Sequence, residues 1–121
     1  QKQTMNLPSN NNKIPISFYQ DGNHGVATIF PTPIALGSTF NTTLIELIGN
    51  TIAYESRILG IDTNFIPVLQ VLTDPRFGRY TESFSDNYYM VSIYGFIMTK
   101  AVTGGIKNNN ISNYNNNLTY I

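Results

Sequence analysis

The sequence predicts an α/β fold of about two βα units on a parallel sheet, and three observations carry that prediction. Two short apolar runs rich in β-forming residues, Lys13 to Tyr19 and Thr63 to Leu69, are each followed by a polar loop and then a helically spaced segment. The second run is almost continuously apolar, as in a strand covered on both faces. The resulting order, strand, loop, helix, strand, loop, helix, calls for parallel strands joined by right-handed crossovers. Two such units cannot close a barrel, so their strand edges stay unpaired.

Taken in order, residues 1–12 form a polar N-terminal segment with Leu7-Pro8 and a run of asparagines. The first strand starts at Lys13 and tolerates Pro15, because its first residues need not donate to a ladder. Gln20 to Gly25 is a polar break with two glycines, and Phe30-Pro31-Thr32-Pro33 is a proline-punctuated segment. Thr43 and Glu46 have capping-box spacing, each side chain satisfying a free amide at a helix start. The helix places Leu44, Ile48, Ile52 and Leu59 on one face, and Gly60 ends it as a left-handed stop. After the second strand, residues 73–87 hold two of the three arginines, three of the seven acids, a proline, a glycine and three aromatics. A loop so long and charged between apolar elements is functional or disordered, and its tight turns and aromatics favour an ordered, functional one. Asp86 caps a second helix with Met90, Ile93, Ile97 and Ala101 on one face, ending at Gly104-Gly105. Gly95 inside it costs about 1 kcal/mol relative to Ala, so it marks a close packing contact. Residues 105–121 are an Asn-rich tail of low complexity.

Length allows one domain. Seven basic residues balance seven acidic ones in a chain only 12% charged, which speaks against a polyanion-binding surface, and so against nucleic acid and acidic membranes as partners. No apolar run reaches the roughly 18 residues that span a bilayer. Without cysteine there is no disulfide framework or thiolate site, and the compartment is left open. A start at Gln1, with neither Met nor a leader, is expected of a trimmed or partial product. The sequons at Asn41, Asn110 and Asn117 are no more than so Asn-, Ser- and Thr-rich a composition yields by chance, so they are no argument for secretion.

In α/β folds, ligands bind beyond the carboxyl ends of the strands. Asp21 and His24 follow the first strand there; Asp74, Arg76, Arg79, Glu82 and Asp86 follow the second. Glu46, Glu55 and Arg57 fall on a helix, and Asp62 at the opposite, stabilising end. Asp21 has two readings: bidentate acceptor for adjacent sugar hydroxyls, or cap of its own turn through Gly22. His24 is a general base or metal ligand or, more in keeping with its place beside glycine, a structural residue; no second ligand stands at metal spacing, and no cofactor motif is present. Arg76 and Arg79, with Asp74 and Glu82, form either a network that pins the loop or an arginine presented to a ligand and oriented by a carboxylate. Phe77, Tyr80 and Phe84 are sugar-stacking platforms or, more simply, loop anchors.

Five motifs then stand in order: His24-Gly25, Phe30-Pro31, Glu55-x-Arg57-x-x-Gly60-Ile61, Asn64-Phe65-x-Pro67-Val68-Leu69 and Asp74-Pro75-Arg76-Phe77-Gly78-Arg79-x-x-Glu82-x-Phe84-x-Asp86. With them, residues 13–104 resemble the N-terminal barrel domain of glycoside hydrolase family 3. The aspartate ahead of His-Gly and the Arg-x-x-Glu favour its β-glucosidase and β-xylosidase branch. The resemblance implies a partial TIM (β/α)8 barrel whose partner is a carbohydrate, a terminal β-linked glucose or xylose. It implies that Asp21 and Arg79 bind that sugar, that Glu82 holds Arg79, that Asp74 and Arg76 shape the loop, and that His24 supports the turn. The family's aspartate nucleophile, in a Ser-Asp-Trp-like motif, its acid/base carboxylate and a sugar-binding Lys-His pair come from later segments. None is found in this chain, and Ser85-Asp86 does not stand at the nucleophile position. Asn87 stands near where the family has proline, and Phe77 replaces a usual tryptophan. The expectation is a fragment of a retaining β-glucosidase-like hydrolase, with no catalytic residue of its own and the remainder of the barrel as its partner. The alternative is a non-catalytic remnant or a degenerate sugar binder. If it is like the family, its compartment is extracellular or lysosomal.

Overall fold

The structure, a computed structural model, describes residues 16–104. The N-terminal segment and the Asn-rich tail singled out above lie outside these residues, as do Lys13 to Pro15 and Gly105. Two short strands, β1 (Tyr19–Gln20) and β2 (Thr63–Asn64), pair in parallel, with Tyr19 opposite Thr63 and Gln20 opposite Asn64. Among the described residues there are three helices: α1 (Pro33–Gly37), α2 (Thr42–Leu59) and α3 (Tyr88–Val102). A single 3-10 turn, Tyr80–Glu82, interrupts the loop before α3. The expected α/β class and parallel sheet are therefore present.

Both strands are shorter than the apolar runs predict. Ile16 to Phe18 precede the ladder, yet Phe18 already engages it: its N–H donates to Asp62 Oδ2 at 2.8 Å, and its carbonyl accepts from the N–H groups of Asp62 and Thr63. Asp62 thus fastens the amino end of the sheet, the stabilising end expected for it. β2 stops at Asn64 rather than at Leu69. Ile66 N–H turns back to Asn64 O at 3.0 Å, Pro67 has no N–H to give, and the Ile66–Pro67 peptide is cis. Beyond it the chain is in neither helix nor strand, and Leu72 N–H reaches Ser85 O at 3.1 Å.

The helix starts also differ from expectation. Asn41, not Thr43, caps α2: its side chain accepts Leu44 N–H at 3.0 Å, the task the capping box assigns to threonine. Asparagine ranks with serine and aspartate as an N-cap and stands two residues earlier, so the helix begins before Thr43. At α3, Asn87 accepts from Tyr89 N–H at 2.9 Å and Met90 N–H at 3.4 Å. Asp86 instead accepts from Ser85 Oγ, so it is not the cap. The proline-punctuated segment conceals α1, which Pro33 opens at a position where its missing N–H costs nothing. Gly60 is the predicted stop, with φ 73° and its N–H returned to Arg57 O.

The core lies between α2 and α3. On α2 the buried residues are Ile45, Ile48, Gly49, Ile52, Ala53 and Ser56, a stripe with 3–4 residue spacing. Leu59, expected on that face, is exposed, because the stripe drifts past it before the helix ends. On α3 the fully buried residues are Val91, Tyr94, Gly95, Met98 and Ala101, while Met90, Ile93 and Ile97 are only partly buried against the same core. This helix is apolar on most sides, with Tyr88, Tyr89 and Phe96 exposed, so spacing alone does not select its inward face. Gly95 marks the close contact expected of it: a Cβ there would run into the side chain of Leu69. No helix among the described residues is long and apolar enough to cross a membrane.

Glu55 ties α2 to the segment after β1. Its Oε2 accepts from the N–H groups of Ala27 (3.0 Å) and Thr28 (2.9 Å), and its Oε1 from the Thr28 hydroxyl. The Thr28 hydroxyl first, then these amides, hold the carboxyl below its ordinary value of 4.5. A carboxyl lowered by folding adds stability above its unfolded pKa and loses it as pH falls through the folded value. Glu55→Gln should therefore melt lower than the parent at neutral pH. The gap should narrow below pH 4.5, which a pH series of thermal melts checks; a gap independent of pH would mean that the charge is not involved.

Candidate functional site

Two loops leave the carboxyl ends of the parallel strands. The first is a turn after β1, closed by Gly25 N–H to Gly22 O at 2.8 Å and by Phe30 N–H to His24 O at 2.7 Å. Gly25 has φ 107°, and a Cβ there would strike the Thr28 carbonyl, so only glycine fits. The turn is moored to β2: Asn64 Oδ1 accepts Gly22 N–H at 2.8 Å, while Asn64 Nδ2 donates to the buried Ser56 hydroxyl of α2. Asp21 stands at the head of this turn, and its Oδ1 accepts Asn23 N–H at 3.4 Å. The turn-capping interaction is thus present in weak form.

The second loop, residues 73–87, is a chain of tight turns: Phe77 N–H to Asp74 O, Tyr80 N–H to Phe77 O, and Glu82 N–H to Arg79 O. Four of its five charged groups form two separate ion pairs. Arg76 folds back on Asp74 through Nε and Nη2, with Arg76 N–H also donating to Asp74 Oδ1. This pair is well exposed and borders an open groove of about 490 Å³ lined by residues 70–74, Arg76 and Phe77. Arg79 donates through Nε (2.8 Å) and Nη2 (2.5 Å) to Glu82 Oε2. The arginine hydrogen bonds hold the Glu82 carboxyl below the usual carboxylate range, and His24 pulls in the same direction. The Arg79 guanidinium is pushed up, chiefly by Glu82 and also by the charge of Asp21. The charge of Asp21 thus acts on Arg79 and that of His24 on Glu82, from the first loop to the second, and Asn23 links the two loops directly. Asp74 is held low by Arg76.

Two polar side chains fasten these loops, and the sequence reading did not single them out. Asn23 Nδ2 crosses from the first loop to donate to Glu82 O at 3.2 Å. Ser83, fully buried, donates through Oγ to the carbonyls of Gln70 and Val68. Ser83 carries a usable signal, since a small hydroxyl beside Phe84 in a buried position must find carbonyl partners. Asn23 carries none, because its partner is 59 residues away. Among the aromatics, Phe84 is a buried anchor, whereas Phe77 is exposed. Among the described residues, no three His, Cys, Asp or Glu side chains cluster as a metal would require.

Chemically, the arrangement offers an acceptor carboxylate, Asp21, near a donor guanidinium whose orientation is set by a second carboxylate. Glu82 is held ionised by its partner, so it is suited to accept from Arg79 and poorly suited to give a proton. Parallel βα units whose polar loops gather at the carboxyl ends of the strands are the units of a (β/α)8-type barrel domain. Residues 1–112 match the glycosyl hydrolase family 3 N terminal domain, and the chain belongs to that family. It is 39% identical over 92 residues to a periplasmic beta-glucosidase of Salmonella typhimurium, covering 76% of this chain and 12% of the relative. A lysosomal beta glucosidase of Dictyostelium discoideum is 30% identical over 108 residues, covering 85% of this chain and 13% of the relative. An exo-1,4-beta-xylosidase of Emericella nidulans is 30% identical over 96 residues, or 74% of this chain and 12% of the relative. The crystal structure of a beta-glucosidase from Streptomyces venezuelae in complex with D-glucose superposes with a TM-score of 0.70 at 30% identity, covering 75% of this chain and 12% of that one. The chain therefore spans about an eighth of the length of the relatives it matches.

Proposed function

We propose that this chain supplies part of the sugar-binding site of a retaining β-glucosidase-like or β-xylosidase-like hydrolase, and that its catalytic carboxylates come from outside residues 13–104. Asp21 accepts hydrogen bonds from hydroxyls of a terminal β-linked glucose or xylose. Arg79 donates to the same sugar, Glu82 holds Arg79 in place, His24 supports the turn, and Asp74 with Arg76 shapes the outer loop. The observation that carries this reading is the Arg79–Glu82 pair on the loop after β2, joined through Asn23 to the turn after β1 that Asp21 heads. A fixed guanidinium next to an acceptor carboxylate is complementary to vicinal hydroxyls, which both donate and accept. Retaining hydrolysis needs two carboxyl groups about 5–5.5 Å apart, one of them able to give a proton. Asp21 and Glu82 are assigned here to binding, so the chain by itself binds without turning over.

The test is a titration of the isotope-labelled chain with D-glucose, followed through its backbone amide signals, together with an assay on an aryl β-glucoside. Signals of both loops, residues 21–25 and 79–83, should move together with a dissociation constant on the order of millimolar or weaker. Asp21→Ala and Arg79→Ala should each abolish the movement, and no hydrolysis should be measurable. Steady turnover by the purified chain, lost in Asp21→Ala, would overturn the assignment of Asp21 to binding.

A further inference from the structure

We infer that Asn23 is a positioning residue that fixes the separation between the two sugar-binding groups, Asp21 and Arg79; the inference rests on the binding role proposed for that pair. Four residues form one relay across the two loops, partly through side chains and partly through the backbone of Asn23 and Glu82. Asp21 Oδ1 accepts from Asn23 N–H at 3.4 Å, and Asn23 Nδ2 donates to Glu82 O at 3.2 Å. Glu82 Oε2 in turn accepts from Arg79 Nε at 2.8 Å and Nη2 at 2.5 Å. Asn23 is the one member bonded to both loops, through its backbone to the first and through its side chain to the second.

The two loops have anchors of their own, and these act separately. Asn64 holds the first from below through Gly22 N–H, and Ser83 holds the second through the carbonyls of Val68 and Gln70. Each fixes its loop to the frame. Asn23 alone among these residues joins loop to loop, and it grips Glu82 by the backbone, leaving the carboxylate to Arg79. An asparagine suits the task because its amide can donate to a carbonyl, whereas an aspartate there would set an acceptor against an acceptor.

The experiment compares the full chain with Asn23→Leu, which keeps the bulk and removes the donor, and Asn23→Gln, which keeps an amide. Two readouts are taken: the dissociation constant for D-glucose, and the solvent-exchange rate of the Arg79 Nε–H. Loss of one neutral hydrogen bond should weaken glucose binding by about 3- to 10-fold in Asn23→Leu. Arg79 Nε–H should also exchange faster, with both effects partly reversed in Asn23→Gln. If Asn23→Leu proves unfolded, Asn23→Asp replaces it with the same expectations. Glucose binding that is unchanged in a folded variant, with unchanged Arg79 exchange, would overturn the role of Asn23 while leaving Asp21 and Arg79 as sugar ligands. A parent chain whose loops ignore glucose would overturn the binding role itself, and the exchange readout would then report the loop coupling alone.

Discussion

Arg79→Ala should lower kcat/KM on an aryl β-glucoside by about ten- to a hundredfold for each hydrogen bond that Arg79 gives the sugar. The measurement needs a complete barrel. A chimera in which the present chain replaces the aligned 92 residues of the Salmonella periplasmic beta-glucosidase, 39% identical, provides one. The guanidinium is always charged and forked, so its truncation removes charge-assisted bonds that water replaces poorly in a closed site. Glu82→Gln should cost less, because an amide oxygen still accepts one of the two bonds that Glu82 Oε2 now takes from Nε and Nη2. Combined with Arg79→Ala, Glu82→Gln should add little if the carboxylate acts, as proposed, through the arginine. If both residues merely pin the loop, each variant should instead melt lower and keep near-normal kinetics in its folded fraction. An activity lost in Glu82→Gln with glucose binding intact would make Glu82 catalytic. A well-folded chimera without activity would favour the degenerate sugar binder.

What the sequence disclosed and what it withheld divide along physical lines. Signals confined to a few neighbouring residues were legible: Gly60 as a left-handed stop, Gly95 as a point of close approach, and the arginine–carboxylate pairs at i,i+2 and i,i+3. The parallel pairing followed from element order, a coarse property that survives errors at element ends. Strand length was not legible, because apolar continuity reports burial and says nothing of whether a neighbour offers hydrogen bonds. Residues 65–69 are apolar like a strand, yet only Phe65 N–H joins the ladder, at Gln20 O. Both caps were misplaced by competition between adjacent candidates, Asn41 against Thr43 and Asn87 against Asp86. Propensity ranks such neighbours almost equally, and the geometry of the entering chain decides. In the candidate site, position along the strands could list the charged residues of the two loops, while the roles proposed for them came from the family resemblance. The fasteners Asn23 and Asn64 could not be listed that way, since they bond across 8 to 59 residues of sequence.

Phe84→Ala should be the most damaging single change to stability, and it tests how an exposed, charged loop is held still. Phe84 is 3% exposed and meets Tyr94 edge-on, with ring centroids 5.5 Å apart. It shares the core with Leu36, Ile45, Ile48, Ile52 and Met98, while its carbonyl lies so close to Gly37 that a Cβ there would collide with it. Truncating a buried phenylalanine costs about 3–5 kcal/mol, against a total of about 5–15 kcal/mol for a typical domain. At roughly 4–8 °C per kcal/mol for a domain of this size, the midpoint should fall by about 12–40 °C, read by thermal melts of the chain or the chimera. Phe77→Ala is the control: it lies in the same loop but is 38% exposed, and should shift the midpoint by only a few degrees. Phe84→Leu should recover much of the loss. Because Phe84 follows Glu82 and the buried Ser83 directly, its ring is the nail at the loop's end, and Arg79 should lose its fixed orientation with it. Equal losses from Phe77→Ala and Phe84→Ala would show that the loop has no single anchor, and the order of the Arg79–Glu82 pair would then have to come from the ion pair itself.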